Sequence, residues 1–231
     1  MSYRRNITRI KAVYNALQHL KDQVVFVGGA TVALYVDQMA DEARPTDDVD
    51  VVIEIWTYKD YAAIEEQLRN IGFENDRESG IICRYRVKGI IVDIMPTGEE
   101  VLGFRNKWYA DGYKNSIDYM LDERCTVRIF SLPYFIASKL DAFTDRGHND
   151  GRISTDFEDI VYVLEYRRSV WNDLENSPDE VKAYLQTTFK KLLDNPFFFE
   201  WVDANTSKGS PPASYYIMER LKAFSGFGKE N

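Results

Sequence analysis

The feature that most narrows what this chain can fold into is the run of acids that feeds an apolar segment in ARPTDDVDVVIEIW, residues 43–56. Asp47, Asp48 and Asp50 lead into a β-branched stretch of the kind found inside sheets. Carboxylates at the start of a buried strand are costly unless they reach water or a cation. Side chains alternate faces along a strand, so Asp48 and Asp50 share a face while Asp47 points the other way, as a turn residue. Two carboxylates roughly 7 Å apart along a strand suit a shared magnesium. Taken alone, the same pair also reads as a solvent-facing strand start.

Asp93 adds a third acid, placed inside IIVDIM with apolar neighbours on both sides. If that strand lies beside the one starting at Val49, Asp48, Asp50 and Asp93 form a metal site of hard oxygen ligands, which selects Mg2+ or Mn2+. The competing reading for Asp93 is an ion pair with Arg84, Arg86 or Lys88 across a hairpin. Gly28 and Gly29 stand between a strand and a helix, where glycines let backbone amides approach a phosphate. A phosphate cradle beside metal-binding carboxylates is apparatus for phosphoryl transfer.

Periodicity predicts a first helix from Thr8, as cap, to about Lys21 through Ile10, Val13, Leu17 and Leu20. The strand QVVFVGG follows, then a helical ATVALYVDQMA through Val32, Leu34, Tyr35 and Met39. VDVVIEIW reads as a strand, YKDYAAIEEQLRNIG as a helix closed by Gly72, and GIICRYRVKG with IIVDIM as a hairpin turning at Lys88 and Gly89. TVRIFSL adds one strand, and four amphipathic helices follow, beginning with PYFIASKLDAFTDR and TDFEDIVYVLEYRR. The expected fold class is α+β, a mixed sheet with helices packed on it (residues 1–125), followed by a helical C-terminal part (126–231) that completes the active-site cleft.

Composition sets the remaining bounds. The 231 residues are 45% hydrophobic and 29% charged, an ordinary globular balance. The absence of an 18-residue apolar run, and the charges in the first twenty residues, lead to the expectation of a cytoplasmic protein without a membrane span. Cys83 and Cys125 are the only cysteines and read as free thiols, so a sulfur-ligated zinc is excluded. His19 and His148 are too few for a histidine metal centre, and His148 reads as a solvated loop residue. The net charge of −8 argues against coating nucleic acid, although Arg4, Arg5, Arg9, Lys11 and Lys21 make a local basic patch. NPFFFEWV at 195–202 reads as core packing or a subunit interface, with base stacking as the alternative.

VGGATVALY, RPTDDVDVVIEI and IVDIM together resemble the nucleotidyltransferase superfamily of the DNA polymerase β type, in its AbiEii-like abortive-infection and toxin branch. Arg44, Thr46, Asp48 and Asp50 match the family's Arg-x-Thr-x-Asp-hydrophobic-Asp element. ASKLDAFTDR and STDFEDIVYVL are similar to its helical element, carrying Lys139, Arg146, Asp156 and Asp159. The resemblance covers about residues 24–165. It implies a Mg2+- or Mn2+-dependent transfer of a nucleoside monophosphate from an NTP to a hydroxyl on tRNA or protein, with an antitoxin as partner. A small antibiotic as acceptor, or a catalytically silent binding protein, are the alternatives.

By the same resemblance, Asp48, Asp50 and Asp93 hold metal, and Asp93 orients the acceptor hydroxyl. Gly28, Gly29, Thr31, Arg44, Thr46 and Lys139 bind nucleotide, and Asp156 lies at the active site. On the residues alone, Lys139 reads equally as a surface side chain, and Asp156 and Asp159 as partners of Arg146 or Arg152. The chain departs from the pattern where Ala30 separates the glycines from Thr31, and where Thr155 replaces an arginine, with Arg152 nearby.

Overall fold

The computed structural model describes residues 2–37, 40, 42–98, 106–145, 150–207, 209 and 212–228. They fall into two units, Met1–Leu34 with Glu42–Ser131, and Tyr35–Asp41 with Leu132–Asn231. In the first, helix α1 (Ser2–Ala16) turns Ile10, Val13 and Ala16 inward. It starts at Ser2 rather than at Thr8, because Arg4 and Arg5 are good helix formers that extend it beyond its apolar stripe. Thr8 is therefore no cap. Its hydroxyl donates to the Arg4 carbonyl at 2.7 Å, the back-bonding of a threonine inside a helix.

A 3₁₀ helix (Gln18–Gln23) leads into strand β1 (Val24–Val27), which is buried throughout. The helix expected after the glycines is a short 3₁₀ helix, Gly29–Leu34. All six of its residues are buried, so it has no polar face to present to water and gives way after two turns. Met39 lies outside the described residues. Strand β2 (Asp48–Ile53) and helix α2 (Tyr58–Asn70) follow, the helix capped by Thr57, which accepts from the Asp60 amide. At its end Gly72 and Phe73 donate to the Arg69 and Leu68 carbonyls, the paired bonds of a Schellman stop.

Strand β3 (Glu74–Asn75) precedes β4 (Arg84–Val87) and β5 (Ile90–Pro96), and helix α3 (Tyr109–Lys114) precedes β6 (Ser116–Asp122) and β7 (Cys125–Phe130). The seven strands form one mixed sheet in the order β3-β4-β5-β2-β1-β7-β6. β2 lies parallel to β5 and antiparallel to β1, while β1 runs parallel to β7. Sequence patterning misses β6, an edge strand in which Ile117, Tyr119 and Leu121 alternate but Met120 interrupts the polar positions and no residue is fully buried. Its Ile117 and Met120 are 47% and 70% exposed. The expected strand over 80–89 shortens to Arg84–Val87, since Ile81 and Ile82 face solvent.

The second unit is helical: α4 (Leu132–Asp145), α5 (Thr155–Tyr166), α6 (Val170–Glu175), α7 (Asp179–Leu193), α8 (Phe198–Asn205) and α9 (Ala213–Ser225). α6 and α8 are too short to show a period in the sequence. Edge-to-face and tilted rings of Phe143, Phe157, Phe198 and Trp201 form its aromatic core, Phe143 and Phe157 with centroids 5.3 Å apart. NPFFFEWV thus divides: Phe198, Trp201 and Val202 pack inside, while Phe197 and Phe199 face out. Tyr35 stacks on Phe135 at 4.2 Å, and its carbonyl accepts from Arg167 Nη1. The class is α+β, as expected, and no helix among the described residues is long and apolar enough to cross a membrane.

The β4–β5 hairpin turns on Lys88 and Gly89, at φ 50° and 75°. This two-residue loop with both φ positive favours Asn-Gly. Lys88→Asn is expected to stabilise the chain by about 0.5 kcal/mol in urea unfolding, since asparagine tolerates the left-handed region better than lysine.

Candidate active site

Strand register assembles the acids. In the parallel pairing of β2 with β5, Asp50 lies opposite Asp93 and Asp48 opposite Ile91. In the antiparallel pairings, β4 sets Arg84 opposite Asp93 and β1 sets Val27 opposite Asp50. Paired residues share a face, so Val27, Asp50, Asp93 and Arg84 form one row across four strands. Asp48, two residues from Asp50, joins them on the same face. Carboxylate oxygens of Asp48, Asp50 and Asp93 lie within 4.8 Å of one another. Asp47 points away, as parity requires. It is 89% exposed and meets Arg5 and Arg9 at 3.7 and 3.6 Å.

Of the cations the hairpin offers, Arg84 takes Asp93. Its Nε donates to Oδ1 at 2.8 Å and its Nη2 to Oδ2 at 2.7 Å, and Nη2 lies 3.6 Å from Asp48 Oδ2. Arg86 pairs instead with buried Asp76 at 2.9 Å. The hydrogen bond to Asp93 raises the Arg84 pKa further, so the guanidinium stays charged. The Cys83 thiol next to it is pushed up to about 11, by burial first and then by Asp93. A protonated thiol is no metal ligand at neutral pH. The donor set is then all oxygen, which fits a hard divalent cation of the Mg2+ or Mn2+ kind.

The glycine turn is shaped around these groups. Gly28 has φ +71°, and a Cβ there would lie 1.9 Å from Asp50 Oδ2. A Cβ on Gly29 would lie 2.5 Å from Arg44 Nη2. The two glycines therefore admit an acid and a guanidinium against the backbone. Thr31 is fully buried, and its hydroxyl donates to the Gly28 carbonyl at 2.9 Å, bracing the turn from behind. Thr46 braces the entry to β2, donating to the Asp48 carbonyl at 3.1 Å.

Sequence reasoning missed Asn6, which is fully buried. Its amide donates to the Arg44 carbonyl at 3.4 Å and accepts from the Thr46 backbone at 3.5 Å, tying α1 to the Arg44–Thr46 turn. Its position four residues before Ile10, on the buried face of α1, was the available signal.

In the second unit, Lys139 is 7% exposed, which settles the choice against a surface residue. Its Nζ lies 3.0 Å from Asp156 Oδ1 and 2.7 Å from Asp159 Oδ2. Arg152 engages Asp150 and Glu200, and among the described residues Lys139 pairs with both Asp156 and Asp159. Arg146 and His148 lie outside the described residues. Burial acts to lower the Lys139 pKa, but Asp159 and Asp156 outweigh it and hold the ammonium above its ordinary value. A raised folded pKa means that this stabilisation is complete below the unfolded value and is lost only as pH climbs through the folded one.

Gly28→Ala is expected to cost at least about 2 kcal/mol in urea unfolding, through backbone strain and displacement of Asp50. Lys139→Met is expected to cost about 3–5 kcal/mol at pH 7.5, as buried carboxylates lose their cation. A loss below about 1 kcal/mol would show those charges to be solvated.

A search of curated proteins found no match. A family model described as "Nucleotidyl transferase AbiEii toxin, Type IV TA system" matches residues 11–200, a span that holds the acid row, the glycine turn and the buried lysine. The chain belongs to the AbiEii nucleotidyl transferase toxin family of type IV toxin–antitoxin systems.

Proposed function

We propose that this nucleotidyltransferase uses Mg2+, or Mn2+, to move a nucleoside monophosphate from an NTP to an acceptor hydroxyl, with release of pyrophosphate. The observation that carries the reading is the convergence of Asp48, Asp50 and Asp93 within 4.8 Å, beside a glycine turn. A divalent cation bound there would neutralise triphosphate charge and lower the pKa of a coordinated hydroxyl. Asp48 and Asp50 would hold it from β2. Asp93 would add a ligand from β5 and orient the acceptor hydroxyl, or take its proton as the new phosphoester bond forms and the bond to pyrophosphate breaks.

Gly28 and Gly29 present backbone amides to phosphate, with Thr31 holding their turn from beneath. Arg44, over Gly29, adds a charged donor for phosphate oxygens, and Thr46 keeps Arg44 and Asp48 in register. Lys139 is assigned to the triphosphate, with Asp156 fixing its ammonium. We place the acceptor on a tRNA end, or else on a protein hydroxyl. The reaction is assigned to the cytoplasm, where triphosphate and acceptor meet, with an antitoxin as the opposing partner.

Incubation with each α-labelled NTP and Mg2+, with and without total tRNA, should put label on RNA. Label on protein would shift the acceptor to a protein hydroxyl. Asp48→Asn keeps the side-chain shape and is expected to cut transfer on the order of 10³-fold, as a metal ligand is lost. Transfer unchanged by that substitution would refute the reading.

A further inference from the structure

Arg84 is described above only as the partner of Asp93, yet its placement bears on how the acid row takes up a cation. Its fork engages both Asp93 oxygens, at 2.8 and 2.7 Å, and Nη2 stands 3.6 Å from Asp48 Oδ2. That nitrogen therefore bridges two of the three carboxylates, the position a bound cation would take. The Arg84 and Asp93 side chains are 20% and 13% exposed, so water screens the pair only in part. Arginine cannot give up its charge by losing a proton in the working pH range. A divalent ion reaching the same oxygens meets a fixed positive charge at contact distance, and like charges so placed are strongly disfavoured.

We propose that Arg84 is the resident counter-ion of the acid row and competes with the divalent cation for Asp93, so that its displacement sets the cation affinity of the site. This inference rests on the metal-dependent reading given above. Arg84 is a positioning residue here: it acts by deciding when Asp93 is available. A merely structural Arg84 would predict the opposite sign, because an arginine that only orients Asp93 strengthens metal binding, and its loss weakens it.

The test is Mn2+ binding to the full chain without nucleotide, followed by electron paramagnetic resonance and by calorimetry, in the wild type, Arg84→Gln and Arg84→Lys. Arg84→Gln is expected to bind Mn2+ about tenfold more tightly or better, and Arg84→Lys, which keeps the charge but loses the fork, to fall between. Without Mn2+, Arg84→Gln should melt below the wild type, and saturating Mn2+ should raise its melting temperature by more than it raises that of the wild type. Should Arg84→Gln fail to fold, Arg84→Lys carries the test, with tighter binding than the wild type as the supporting result. Equal or weaker Mn2+ binding by the folded variants overturns the role of Arg84 and leaves the metal site standing. No Mn2+ binding by the wild type or either variant overturns both readings.

Discussion

The parallel register of β2 and β5 sets one carboxylate directly against another, and the surrounding structure is arranged to tolerate that opposition. Like charges on adjacent strands raise each other's energy, more so where water is partly excluded. Three features answer it. Arg84 reaches in from β4 on the same row and forks onto Asp93. The Gly28 backbone makes room for the Asp50 carboxylate. Asn6 and Thr46 secure the chain where it enters β2, so that Asp48 and Asp50 cannot rotate their shared face away. A one-residue slip would turn Asp48 and Asp50 onto the face where Val49 and Val51 are now fully buried.

The helical unit handles buried acid differently. There two carboxylates three residues apart on one helix enclose a lysine from the helix before it, in a site almost closed to solvent. The Asp93 pair sits at a partly open surface and uses arginine, whose fork fixes direction as well as charge. Helix α9 lies beyond the matched family span, yet Ile217, Leu221 and Phe224 are buried. The C-terminal segment is thus part of the core of its unit.

Strand parity in the sequence was enough to separate Asp47 from Asp48 and Asp50. It could not say which strand stands beside β2, because a helix and a hairpin intervene before Asp93 and the chain itself does not encode sheet order locally. The ion-pair reading of Asp93 is met by Arg84, and the same carboxylate stands in the acid row. Only register selects Arg84, since Arg86 shares its face but lies opposite Ile91. Asn6 was obscured by a helix start placed too late. Lys139 was obscured because its neighbours Ser138 and Asp141 look like a wet surface, whereas packing between α4 and α5 decides its burial.

Gly28 and Asp50 stand on either side of the 3₁₀ helix Gly29–Leu34 in the chain, yet they compete for one volume. The missing side chain at 28 is, in effect, space held for the carboxylate at 50. A Cβ at 28 would lie 2.9 Å from the Asp50 Cβ as well as 1.9 Å from its Oδ2, so trimming the carboxylate alone would not make room for it. The two positions should then vary as a coupled pair among related chains. A side chain at 28 is therefore expected only where residue 50 no longer fills that space.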